Sequence, residues 1–267
     1  VESAALVRLL ALALAPPTEA TLAETAALAA ALAELPEMPD GLRELAAAAS
    51  GAPAEAVAAA HERVFAPDPI ASPYEASTTV DPFAQARLQA DVAGFYAAFG
   101  AAAHGAAAER PDHAGTELEF LAFLALKRLQ SADEGHAEEA ERCATVEAAF
   151  LGDHAGRWLV PFFRRLAARA DDPFHRALGR LGTVVVGREL SLRGLDVVEV
   201  EAPRGTRHDV EGDELACGAD GSTPSFVDEL ARPHRQTVST PVRDGRAVRP
   251  DRHSAAHEAQ GGSDQKV

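Results

Sequence analysis

Proline, more than any other residue, sets what this chain can become. Pro16-Pro17, Pro36, Pro39, Pro53 and the cluster Pro67, Pro69, Pro73 and Pro82 cut the first third into short pieces, and Pro111 and Pro173 divide the rest. A proline inside a helix removes a backbone hydrogen bond and clashes with the preceding turn, so each marks an edge. Between the edges the text is rich in alanine, leucine and glutamate, which are strong helix formers. β-Branched runs, the mark of strands, are almost absent outside Val184–Val186 and Val197–Val200. The expectation is an all-α protein.

The pieces have helix length and helix spacing. Leu6, Leu9, Leu10 and Leu14 form one apolar stripe, and Leu22, Leu28, Leu32 and Leu35, behind a cap at Thr18 or Thr21, form a second. Asp40-Gly41 opens a third helix to Ala49, and Pro53 a fourth to Phe65. Residues 66–82 hold too many prolines for regular helix and carry Tyr74-Glu75. Asp81-Pro82 pairs a cap with a proline at the first helical position, starting a helix through Phe83, Phe95, Tyr96 and Phe99 to Gly100. A long helix over Glu117–Gln130, a turn at 131–135 and a more polar helix over His136–Leu151 follow. Asp153 is expected to cap the next helix, with Pro161 kinking it, and Asp172-Pro173 to start a last one reaching Leu190.

The turning point is Glu109 to Phe123, where charges give way to an apolar helix face of Leu118, Phe120, Leu121 and Phe123. Pro111 holds its neighbour extended, and Asp112 is placed to accept from the free N–H groups of the turn that follows. His113 falls at a helix N-terminus, where the dipole favours the neutral ring. The expected organisation is an N-terminal helical lobe at 1–108 and a C-terminal helical lobe at 109–200, packed as one globular unit. Residues 201–267 are rich in glycine and proline and poor in large apolar side chains, and are expected to be a mostly disordered tail.

The charge of −16 belongs mostly to residues 1–200 and disfavours nucleic acid and anionic lipid while favouring cationic partners. Two cysteines, Cys143 and Cys217, exclude a disulfide framework or a four-cysteine metal site and fit a reducing cytoplasm. The apolar run Leu6–Ala15 is short and broken by Arg8, so neither a signal peptide nor a membrane span is expected. Glu109, His113 and Glu117 are spaced by four, but the paired Glu-x-x-His sequences of helical di-metal sites are missing and Pro111 takes Glu109 off the helix. No Gly-x-Ser-x-Gly elbow, neighbouring Cys–His pair or glycine-rich phosphate loop occurs. Phe95, Tyr96 and Phe99 serve as core or as a groove wall, and both remain open, as do structural and binding roles for His113. A structural role is assigned to His154 and Trp158.

Glu109-Arg-Pro-Asp-His113 followed by Glu117-Leu-Glu-Phe-Leu-Ala-Phe123 closely resembles the Glu-x-Pro-Asp-His, Glu-Leu-x-Phe-Met signature of the TorD/DmsD family of molybdoenzyme chaperones. The Tyr74-Glu75 loop with the helix from Asp81 to Gly100, and Phe150-Leu-x-x-His154-x-x-x-Trp158-x-x-Pro161-Phe162, are similar to its flanking segments. The likeness spans about Val64 to Leu190, with Leu121 in place of the methionine. The resemblance implies an all-helical, two-lobed, non-catalytic cytoplasmic protein needing no cofactor. It would bind the twin-arginine signal peptide of a molybdenum oxidoreductase, and the apo enzyme, until the cofactor is inserted before export. A monomer or a domain-swapped homodimer is compatible with this. It places peptide recognition on Pro111, Asp112 and His113 with Glu109 beside them. An arginine pair followed by an apolar run asks for carboxylates beside an apolar groove. Glu75, Glu109, Asp112 and Glu117 are candidates for the charge, and Tyr74, Phe95, Tyr96, Phe99 and Phe120 for the wall. A helical adaptor for another cationic or amphipathic partner and a helical-bundle metal enzyme stand as alternatives.

Overall fold

Helix starts fall where the capping residues put them. A computed structural model describes residues 2–65, 69–102 and 110–197. The expectation of a disordered tail at 201–267 and the candidate Glu109 lie outside these. Within them the chain is helical, with no strand among the described residues. Helix α1 spans Glu2–Ala13, and α2, Glu19–Ala33, begins at a capping box in which the Thr18 and Thr21 side chains each accept from the other's backbone N–H. Helix α3 covers Gly41–Gly51, running through Ser50 to Gly51 rather than stopping at Ala49, and α4 covers Ala54–Phe65. A single 3-10 turn at Glu75–Thr78 interrupts the proline-rich stretch, after which α5, Pro82–Ala98, starts on the Asp81 cap.

Helix α6 runs over Ala114–Asp133 and α7 over Ala137–Phe150. The sequence expectation of a break and an Asp153 cap after α7 is corrected by the structure. The chain continues through a π-helical turn, Leu151–Ala155, straight into α8, Gly156–Arg169, and the Asp153 side chain caps nothing. One reason the helix can continue lies at Gly156, where a Cβ would sit 2.4 Å from the Leu151 carbonyl oxygen and 2.5 Å from the Leu190 side chain. The extra residue of a π turn widens the helix and re-aims its side chains, here delivering His154 inward. Helix α9, Pro173–Leu192, starts on Asp172, whose carboxylate accepts from the His175 N–H at 3.0 Å.

Helices α8 and α9 pack most intimately of all, and α1 lies against α2, α6 and α9, while α6 packs along α7 and α3 touches both α2 and α9. The core so formed is continuous from Leu6, Leu9 and Leu10 through Leu118 and Leu124 to Phe163, Leu178 and Val185, all fully buried. Each such side chain contributes about 1.5–3 kcal/mol when fully buried. Phe83, at the start of α5, is 84% exposed. It lies nine positions before the buried Val92, half a turn round the helix, and so faces away from the core. Arg193 closes one end by pairing with both Glu147 and Glu189, with Arg128 also 3.3 Å from Glu147. Among the described residues no helix is long and apolar enough to cross a membrane.

Candidate functional site

Two proline-led turns meet to form a seam. Pro73 and Pro111 each bias the residue before them away from the helical region, and just beyond them Tyr74 and His113 pair as an isolated antiparallel bridge. The Ala114 N–H donates to the Pro73 carbonyl at 2.8 Å and the Glu75 N–H to the Asp112 carbonyl at 2.9 Å. The Asp112 side chain adds to the join, its Oδ2 accepting from the Ala76 N–H at 2.9 Å. Arg110 donates from Nε to Oδ1 at 3.1 Å and from a terminal nitrogen to Oδ2 at 3.2 Å. The Tyr96 hydroxyl donates to the Pro111 carbonyl at 2.9 Å.

Asp112 therefore does not cap the helix that follows it, as its position in sequence suggests, because both its oxygens are taken by residues 110 and 76. His113 is the cap: its Nδ1 accepts from the Gly115 N–H at 3.0 Å. Enclosure in the seam pushes its pKa down to about 4, with the Asp112 charge opposing and Arg110 assisting. The ring is neutral at pH 7, with its proton on Nε2 and its edge against Tyr74 at a centroid distance of 5.3 Å.

One turn further along α6, Glu117 is fully buried. Its Oε2 accepts from the Trp158 indole N–H at 2.9 Å, and its Oε1 has no hydrogen-bond partner. Burial, reinforced by the charge of Glu75, pushes its pKa well up and so favours the protonated acid. Glu75, also buried, lies 3.1 Å from Nδ1 of His154. Burial opposes charge on His154, but Glu75, Asp91 and Asp153 outweigh it and raise its pKa. Its Nε2 is 3.4 Å from Asp91 without a hydrogen bond. Glu75, Asp91, His154 and Trp158, with Leu88 and Arg157, line a cavity of about 730 Å³ between α5, the 3-10 turn and α8.

Tyr74, next to Glu75 in the chain, lines a different cavity of about 270 Å³ together with Arg110, His113 and His61. The seam thus presents adjacent residues to two cavities. Behind His61 stands a buried relay: His175 Nε2 is 3.3 Å from His61 Nδ1, and His175 Nδ1 is 2.9 Å from the Asp172 carboxylate. Burial first, and the neighbouring His175 second, lower the His61 pKa to about 4.

Tyr74, Glu75, Pro111, Asp112, His113 and Glu117 are all brought to the seam and its immediate floor. The Tyr96 and Phe120 rings meet at a tilt inside the core, centroids 4.8 Å apart, while Phe95 and Phe99 remain partly exposed at its margin. Without rearrangement, Asp112, Glu117, Tyr96 and Phe120 are enclosed, and the surface offered to a ligand belongs to Tyr74, His113 and the cavity walls. Glu109 is outside the described residues. Sequence reasoning passed over Arg110, Asp91, His61 and His175. Arg110 carried a signal, an arginine two residues from an acid across a proline, and His175 another, lying three residues after Asp172. Asp91 and His61 meet their partners from distant segments.

Fold and seam together define an all-α bundle of the TorD-like type, built round a Tyr-Glu turn locked to a Pro-Asp-His turn. A family model described as nitrate reductase delta subunit matches residues 23–164, a span containing both turns and half of the chain. A selenate reductase assembly chaperone protein of Thauera selenatis is 43% identical over 75 residues, which is 27% of this chain and 38% of that protein. The alignment thus spans little more than a third of that relative's length. The chain belongs to the nitrate reductase delta subunit family, the TorD-like group of molybdoenzyme chaperones.

Proposed function

We propose that this protein is a cytoplasmic maturation chaperone, without catalytic activity of its own, for the catalytic subunit of a molybdenum oxidoreductase. It binds that subunit's twin-arginine signal peptide and holds the apo enzyme until its cofactor is inserted, before export. The observation that carries this reading is the family match across the seam, and likeness to an assembly chaperone of a reductase supports it. In this reading residues 1–108 and 109–200 are two lobes packed as one unit, with the Tyr74–His113 bridge running between them.

The geometry suits such a ligand. The apolar part of a leader has a groove along Leu88 and Trp158, bordered by the carboxylates of Asp91 and Asp153. Arginines have the Tyr74–His113 side, and each partly desolvated arginine–carboxylate contact contributes about 1.5–3 kcal/mol. The acidic surplus of the chain speeds encounter with a basic leader more than it adds affinity.

Calorimetry with the leader peptide of the molybdenum oxidoreductase encoded nearest this gene tests the proposal. The peptide should bind, a version with both arginines changed to lysine should bind at least about tenfold more weakly, as loss of one charge-assisted contact requires, and His113→Ala should weaken binding with helical content intact. Failure to bind any such leader, together with no retention of the apo subunit in co-expression, sinks the proposal.

A further inference from the structure

We propose that the Asp112 carboxylate and the Tyr74 ring form a guanidinium cradle, filled in the free protein by the chain's own Arg110 and taken over by an arginine of the partner. This rests on the partner carrying arginines, as the proposed function supplies. The contacts are those that single out a guanidinium. Arg110 presents two N–H groups to the two oxygens of Asp112, at 3.1 and 3.2 Å. Its central carbon lies 3.9 Å from the centroid of the Tyr74 ring. A planar fork can pair with a carboxylate and stack on an aromatic face at once, whereas a lysine ammonium satisfies only one oxygen or the ring.

The cradle is built without Arg110. Tyr74 is set by its bridge to His113, and Asp112 by the Ala76 N–H and its own backbone bond to Glu75. The Asp112 side chain has no exposed surface, while that of Arg110 is 40% exposed, so the arginine is the outward member of the pair. Arg110 and Tyr74 also line the 270 Å³ cavity, with Leu14 and His113 on its other sides, which gives an incoming chain room beside the cradle. Removing Arg110 with nothing in its place would leave a buried carboxylate short of its charge partner, a costly state. Entry is therefore an exchange of one guanidinium for another, and a ligand lacking the fork cannot complete it. The internal arginine lowers apparent affinity by the fraction of time it occupies the cradle, so weak or lysine-bearing sequences are rejected.

Chemical rescue tests the cradle without any leader peptide. Arg110→Ala should melt below wild type, and N-acetyl-arginine amide at about 10 mM, the order of a tethered side chain's effective concentration, should raise its melting temperature. N-acetyl-lysine amide should not, and wild type should respond to neither. Arg110→Lys, which keeps the charge but loses fork and stacking, should be rescued in the same way and serves if the alanine variant does not fold. With the twin-arginine leader, Arg110→Ala should bind at least about fivefold tighter than wild type. A variant blind to arginine amide, or one rescued equally by the lysine compound, overturns the cradle. Rescue by arginine amide with no leader binding by either protein upholds it and rejects the peptide function instead.

Discussion

Trp158 donates its indole N–H to Glu117 at 2.9 Å inside the core, and the other oxygen of that carboxyl has no hydrogen-bond partner. Two helices far apart in sequence are thus joined through an acid whose protonated form burial favours. Because Glu117 keeps its proton in the folded state well above its ordinary value of 4.5, its contribution to stability is fully present below pH 4.5. That contribution is lost as pH rises toward the folded pKa, since only the unfolded chain releases the proton. Glu117→Gln removes this loss, so urea midpoints measured at pH 5 and pH 7 should differ less in the variant than in wild type. Trp158→Phe, which strips the donor from a buried acid, should cost about 1–3 kcal/mol.

His113 should behave in the opposite sense. Its folded pKa of about 4 lies below the ordinary 6.5, so both states are neutral above pH 6.5. Between 6.5 and 4 only the unfolded chain gains a proton, and stability falls as pH falls. Nitrogen NMR at pH 7 should show a neutral ring protonated at Nε2, and His113→Gln should flatten the acid limb of the stability curve in part. His61, whose pKa is lowered to about 4 as well, adds a loss of the same sign.

The Tyr96 hydroxyl bonds the Pro111 carbonyl and so ties α5 to the Pro-Asp-His turn. Tyr96→Phe keeps the tilted ring contact with Phe120 and leaves that carbonyl without this donor. A loss of about 1 kcal/mol in chemical denaturation is expected.

Close contact of α8 and α9 depends on Gly182, where a Cβ would lie 2.3 Å from the Phe163 ring. Gly182→Ala should destabilise by about 1–3 kcal/mol through overpacking. Gly187 in the same helix has no atom within 4 Å of its added Cβ, and Gly187→Ala should gain up to about 1 kcal/mol from helix propensity. Thermal unfolding of the pair separates packing from propensity.

What the sequence by itself determined was the helical class and most helix starts. Thr18, Asp81 and Asp172 could be read as caps because a cap satisfies N–H groups two or three residues away, within the reach of local text. The ordered motifs at 74–75, 109–123 and 150–162 likewise marked the segments whose described residues, 74–75, 110–123 and 150–162, the structure gathers at the seam and its floor. His113 escaped the capping rule because imidazole is not among the usual cap side chains, although its partner is only two residues on. Tertiary structure alone decided the rest. It took Asp112 away from its own helix to Ala76, brought Glu75 to His154 across 79 residues, and turned Phe83 to solvent. It also carried α7 into α8 where a break was expected. A cap is settled within one turn of chain, whereas the protonation and pairing of a buried acid depend on which distant segments exclude water from it.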